Sequence, residues 1–325
     1  LLAVLYALAD FGAVAILQFD SFARSIYVQY RASFDRSLAA VLALMLVGLT
    51  LVVAWLESRA RHRLATLPQA PRRPAPIVRL GRWRWPAMLF CAAVVTLGLA
   101  VPAGTVAYWL LRGMAQGEPL RLLFGAAAGS LIGGTLAALL AAAFALPVAL
   151  LAVRHPGRIA RAIESVLYSA YAVPGIVIAL AAAVFVLNVT PGIYQSLAVL
   201  VVAYSVRFLP QAVGPLRGAL VQISPRVVEA ARTLGDSPAT AFRRVTLPLL
   251  RPGLVAAVTL VFLTTVKELP ITLLLAPAGF ETLATQIWGA ASEGFYARAA
   301  APAVMLMVLA GLTVGLLFRG EEVAR

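Results

Sequence analysis

Two charged residues stand side by side, Lys267 and Glu268, inside the apolar run Leu254 to Leu275, and an aspartate, Asp10, lies within another run, Leu1 to Leu17. Carboxylates are hard oxygen donors suited to hard cations, whereas a lysine ammonium repels them. In hydrocarbon a lysine or aspartate at mid-helix costs about 2.5–3.5 kcal/mol, so these groups need partners or water. Adjacent helical residues point about 100° apart, so Lys267 and Glu268 are expected to find separate partners on neighbouring segments. Pro270 is expected to break the helix just beyond them, freeing carbonyls that are tolerated only beside a cavity or within protein. Asp10, Lys267, Glu268 and Pro270 therefore read in two ways: as the lining or gate of a polar route, or as a structural ion-pair set.

Other chemistry is missing from the sequence. Cys91 is the single cysteine and lies in an apolar run, so an intrachain disulfide and a cysteine cage for metal are excluded. His62 and His155 sit in arginine-rich loops with no second ligand at metal spacing, so no metal site is expected. A phosphate-binding loop needs a lysine after glycine, and the only lysine, Lys267, follows Val266. No catalytic residues and no bound cofactor are expected, and the chain reads as a non-enzyme.

A second group of residues suits mechanical rather than covalent work. Glu229-Ala230-Ala231 is followed after three residues by Gly235 and after nine more by Val245, Leu247 and Pro248. Ser224 with Pro225 is a helix-start signal, and Gly235 can end that helix in a left-handed conformation. Ser237 and Pro238 repeat the start signal for a second short helix, which Pro248 is expected to close. The two alanines leave one side of the first helix nearly bare, so another protein could approach its backbone closely. Arg226, Arg232, Arg243 and Arg244 allow a second reading, an amphipathic loop lying on lipid headgroups.

The elements that must position these residues follow from composition. The chain has 325 residues, of which 62% are hydrophobic and 12% charged, with mean hydropathy +0.92. That leaves too little polar surface for a soluble protein of this size, and the net charge of +14 lies between apolar runs, where it reads as a topology signal rather than a nucleic-acid surface. A crossing needs about 20 apolar residues. Eight segments meet or approach this: Leu1 to Leu17, Leu38 to Leu56, Ala87 to Leu111, Leu122 to Val153, Val166 to Leu187, Tyr194 to Leu209, Leu254 to Leu275 and Ala301 to Phe318. The fourth is longer than a crossing needs, so it is expected to tilt, kink near Gly133–Gly134 or project into water.

Loops at 57–85, 153–162, 207–252 and 319–325 carry 20 of the 27 Lys and Arg, and the opposite loops carry six. Positive side chains are retained inside, so both ends of the chain are expected on the cytoplasmic side. The arginine- and proline-rich stretch Glu57 to Trp85 reads as a linker without helical periodicity. Shifting the chain on itself by 261 positions aligns Phe22 to Leu56 with Leu283 to Leu317, and a shift of 258 places Asp10 on Glu268. This predicts two related halves: residues 1–56 as the last two spans of a first half, 57–85 as linker, and 86–325 as a six-span second half with the functional loop at 218–252.

The loop pattern E-A-A-x3-G-x9-I-x-L-P resembles that of binding-protein-dependent ABC importer permeases, with Val245 in place of isoleucine. The resemblance implies an all-α polytopic transmembrane bundle of the type I ABC importer permease fold. It also implies that the loop is a coupling helix docking into an ATPase, a role carried over to Glu229, Ala230, Ala231 and Gly235, with Leu247 and Pro248 completing the motif. Within that family the chain is similar to ferric-iron permeases through Tyr171-Ala172-Val173-Pro174-Gly175, Arg207-Phe208-Leu209-Pro210-Gln211-Ala212, Lys267-Glu268-Leu269-Pro270 and Gly279 to Ala284, with Ala9-Asp10-Phe11-Gly12 near the start. The implied partners are two copies of an ATPase subunit, which would hold ATP and Mg, a periplasmic substrate-binding protein and membrane lipids. The implied location is the bacterial inner membrane. Against the family pattern, a first half would lack its early spans and its own coupling loop. Thiamine or phosphonate permeases share the layout, and a secondary transporter driven by an ion gradient is the alternative from another class, though it leaves the loop unexplained.

Overall fold

The computed structural model describes residues 2–32, 37–65, 80–117 and 123–323, and every regular element among them is helical. The chain begins with α1 (Leu2–Ala9), α2 (Gly12–Ile16), α3 (Phe22–Ala32) and α4 (Ser37–Ala65). After the undescribed stretch, α5 (Arg84–Val95) and α6 (Val101–Ala115) join through a wide π turn into one rod that starts at Gly81. Then come α7 (Leu123–Arg154), α8 (Arg158–Ala172), α9 (Gly175–Val189), α10 (Leu197–Gln222), α11 (Pro225–Thr233) and α12 (Pro238–Ala241). A second π turn leads into α13 (Leu247–Val266), followed by α14 (Pro270–Leu275), α15 (Leu283–Ser292) and α16 (Tyr296–Val323).

Among the described residues six helical segments are long and apolar enough to cross a membrane, seven if the bent pair α8–α9 is counted as one span. Hydropathy alone gives eight, and the difference lies in breaks that hydropathy does not register. Leu1 to Leu17 is interrupted at Asp10 and Phe11. Val166 to Leu187 is two helices meeting at 106°, because Val173 precedes a proline and adopts the extended conformation such residues prefer. Leu254 to Leu275 stops at Val266, four residues before Pro270, which opens α14 instead of closing α13. Tyr194 to Leu209 continues to Gln222, because Ala212, Val213, Leu216 and Leu220 maintain a buried stripe past Pro210 and Pro215. Helix α4 likewise runs on to Ala65, into the stretch read as linker, while residues 66–79 lie outside the described residues.

One core cluster is shared by α7, α10 and α13. Helix α7 spans about 48 Å at 1.5 Å per residue and runs unbroken through Gly133 and Gly134, so its extra length is not absorbed in a break there. Its alanines 138, 141, 145 and 149 form a small-residue stripe against Phe208 and Leu216 of α10 and Val261 of α13, which brings the backbones close. The same close approach joins α13 to α10, where a Cβ on Gly253 would stand 2.5 Å from that of Ala219 and 3.1 Å from the Pro215 carbonyl. Gly253→Ala is therefore expected to cost about 1–3 kcal/mol by overpacking. Gly104→Ala, in open space on α6, costs nothing comparable. Thermal unfolding in detergent compares the two.

A second cluster joins the N-terminal helices to the rest: Phe11, Ile26, Tyr27 and Leu46 pack with Ile176 and Leu180 of α9 and with Ile271 and Leu275 of α14. Phe11, Tyr27 and Trp288 stack with ring centroids 5.2 to 6.3 Å apart. The succession α1, break, α2, α3, α4 has the same order and character as α13, break, α14, α15, α16, with Asp10 at the first break and Glu268 at the second.

Candidate functional site

The three proline-bearing motifs that lie far apart in sequence meet at one point. Glu268 sits in the turn between α13 and α14, with its backbone N–H donating to the Thr265 carbonyl at 2.9 Å. Its side chain is 9% exposed, and Oε2 lies 3.5 Å from Nε of Arg207, itself 16% exposed, on α10. The third contributor is Gly175 in the first turn of α9: a Cβ there would stand 2.4 Å from Arg207 Nη1 and 2.8 Å from Glu268 Oε1. Only a residue without a side chain lets the α9 backbone approach the ion pair so closely. The carboxylate also lies against the N-terminus of α9, whose partial positive charge favours an anion.

Around this point the polar groups are tied down. Thr272 donates to the Glu268 carbonyl at 2.7 Å, and Tyr204 Oη stands 2.5 Å from the same threonine hydroxyl. On the neighbouring face, Gln211 donates to Tyr171 Oη at 2.6 Å and accepts from Thr264 at 2.7 Å, joining α8, α10 and α13. Glu164 and Arg217, 2.5 Å apart, make a second tie between α8 and α10.

The residues singled out in the sequence therefore part company. Glu268 has its partner, Arg207, which the sequence reading counted with the loop at 207–252 although it falls inside the span Tyr194 to Leu209. The continuing apolar stripe of α10 was the signal that could have placed Arg207 inside the helix. Lys267 is exposed at the C-terminal end of α13, where a cation interacts favourably with the helix dipole. Pro270 is buried at the start of α14. Asp10 is half-buried at the equivalent N-terminal break, and the two breaks adjoin: a Cβ on Gly12 would lie 4.0 Å from Leu269 Cδ2.

The loop forms at the opposite end of α13. Helix α11 follows Ser224, whose hydroxyl makes no cap bond, contrary to the sequence reading; Pro225 alone marks the start. At its end Gly235 has φ +100°, its N–H donates to the Arg232 carbonyl at 3.1 Å, and the Asp236 N–H donates to the Ala231 carbonyl at 3.1 Å. This paired set of bonds is a Schellman ending, which the left-handed glycine makes possible. No residue of α11 is buried; Glu229 and Ala230 are exposed, Ala231 is half-buried, Val227 is 47% exposed and Leu234 is 88% exposed.

Ser237 caps α12 by accepting from the Thr240 N–H at 3.2 Å. Pro248 does not close this helix. Through the π turn, the Leu247 N–H reaches back to the Phe242 carbonyl, and the helical path runs from Pro238 to Val266 without interruption, with Leu247 and Pro248 in the first turn of α13. A proline at that position has no N–H for the usual bond, and the widened turn accommodates it. Arg244 holds Asp236 at 3.3 Å, and Arg154 donates to the Ile223 carbonyl at 3.3 Å, fixing both ends of the loop.

The family model "Binding-protein-dependent transport system inner membrane component" matches residues 134–319. A Fe(3+)-transport system permease protein of Haemophilus influenzae is 34% identical over 322 residues, 98% of this chain, and the chain spans 64% of that relative's length. A molybdenum transport system permease protein of Azotobacter vinelandii is 36% identical over 35% of this chain and 50% of its own. A diacetylchitobiose uptake system permease protein of Streptomyces coelicolor is 34% identical over 37% of this chain and 50% of its own. The matched region contains the α11 loop and the Gly175, Arg207 and Glu268 cluster, and the chain belongs to the family of binding-protein-dependent transport system inner membrane components.

Proposed function

We propose that this chain carries a solute across the bacterial inner membrane as the permease part of an ATP-binding cassette importer, with ferric iron as the solute. The carrying observation is the exposed helix α11, ended by Gly235 and joined through Ser237 to a helical path that leads directly to the Glu268 break. In this reading α11 is the coupling helix: Glu229, Ala230, Ala231 and Gly235 meet an ATPase subunit, Leu247 and Pro248 root the loop in α13, and two ATPase copies hold ATP and Mg. A periplasmic binding protein delivers the solute, and both chain ends lie in the cytoplasm. Asp10, Lys267, Glu268 and Pro270 stand at the adjoining breaks that form the gate region.

Iron is favoured by the relative aligned over nearly the whole chain, while shorter alignments reach permeases for other solutes. The repeated succession of elements supports residues 1–56 as the end of a first half, 57–85 as linker and 86–325 as the second half. Affinity copurification with the cognate ATPase tests the coupling role. Glu229→Arg is expected to abolish capture while leaving the melting temperature unchanged. Unaltered capture would remove the loop from the interface, and uptake that continues without ATP would favour a gradient-driven carrier. Labelled ferric iron, phosphonate, thiamine and molybdate, offered in parallel to cells expressing the full system, identify the solute.

A further inference from the structure

The buried ion pair is incompletely bonded. Nε and Nη1 of Arg207 and Oε1 of Glu268 are shielded from solvent and make no hydrogen bond within the protein. Their one charge contact, at 3.5 Å, is longer than a charge-assisted hydrogen bond of about 2.7–2.9 Å. The pair sits in the space that a side chain at position 175 would fill, so the absent Cβ of Gly175 is what keeps that side of the fork clear. An arrangement in which both charges are desolvated and neither is fully paired is unfavourable, and a small relative movement that made the fork bidentate would relieve it.

The helical path is broken on both flanks of the pair. On one side is the 106° bend between α8 and α9, immediately before Gly175; on the other is the non-helical turn at 267–269. Arg207 itself stands on α10, which is packed along α7 and α13 and provides the fixed point.

We propose that Arg207 and Glu268 are positioning residues that act as a latch between these hinges, exchanging the single long contact for a bidentate one as the α8–α9 angle changes. Gly175 is the clearance that permits the exchange. The proposal rests on the transport reading for its purpose but not for its existence, so its test separates the two. With Cys91 replaced by serine, spin labels at Ser169 on α8 and Val184 on α9, both exposed, report the angle in the full chain in lipid nanodiscs. Two distance components are expected in the parent chain without any ATPase, and Arg207→Met with Glu268→Leu is expected to collapse them to one. A single component in the parent, or two components that survive the double substitution, overturns the latch. Adding the cognate ATPase and trapped nucleotide is expected to shift the two populations of the parent chain. Two components that nucleotide leaves unshifted count against the transport reading and leave the latch standing.

Discussion

Replacing Glu268 with leucine is expected to lower the unfolding free energy by about 3–5 kcal/mol, because it leaves the Arg207 guanidinium buried beside Gly175 without a counter-charge. Arg207→Met is expected to cost a similar amount from the other side. The double variant Arg207→Met/Glu268→Leu should lose much less than the sum, since well-packed apolar groups replace a buried pair at little net cost. Denaturant titration in mixed micelles measures all three. Additive losses would mean that the two side chains act independently, each through its own packing.

The second large effect is expected at Gly235. Its φ of +100° lies where side chains are rarely accepted, and a Cβ would meet nothing within 4 Å, so any penalty comes from the backbone alone. Gly235→Val should cost about 1–3 kcal/mol of loop stability, disrupting the Schellman ending and turning α11 away from its bearing on α12. If α11 binds an ATPase, 1.4 kcal/mol of that cost already corresponds to roughly tenfold weaker binding. Gly235→Asn is expected to retain more, because asparagine tolerates positive φ better. Gly218→Ala, in open space on helical α10, is the control and should change nothing. Calorimetric titration of the ATPase against these variants gives the order; equal affinity for valine and glycine at 235 would refute it.

The sequence was most informative where chemistry is local. The left-handed glycine at 235, the Ser237 cap and the existence of long apolar helices can all be read from residue type and spacing. Breaks within spans could not be read from hydropathy, because Asp10 and Glu268 each dilute a window too little to divide it. The bend at Val173 was legible in principle from the proline that follows. Pro248 and Pro270 were misread for the same reason: proline is compatible with the first turn of a helix as well as incompatible with its interior, and the choice depends on the preceding residues. The Arg207–Glu268 contact joins positions 61 residues apart on different helices. Nothing local encodes it, and counting Arg207 with the loop cations hid it.

Between Pro238 and Val266 there are 29 residues of unbroken helical path. At about 1.5 Å per residue this is a strut some 40 Å long, and helical hydrogen bonds make such a strut stiff along its axis. Non-helical turns bound it at Gly235 and at 267–269, and within it the hydrogen-bond pattern changes at the π turn over 242–246 and at Pro252. Under the proposed coupling role, axial displacement entering beside α12 would be carried to Lys267 and Glu268 along this one continuous helical path.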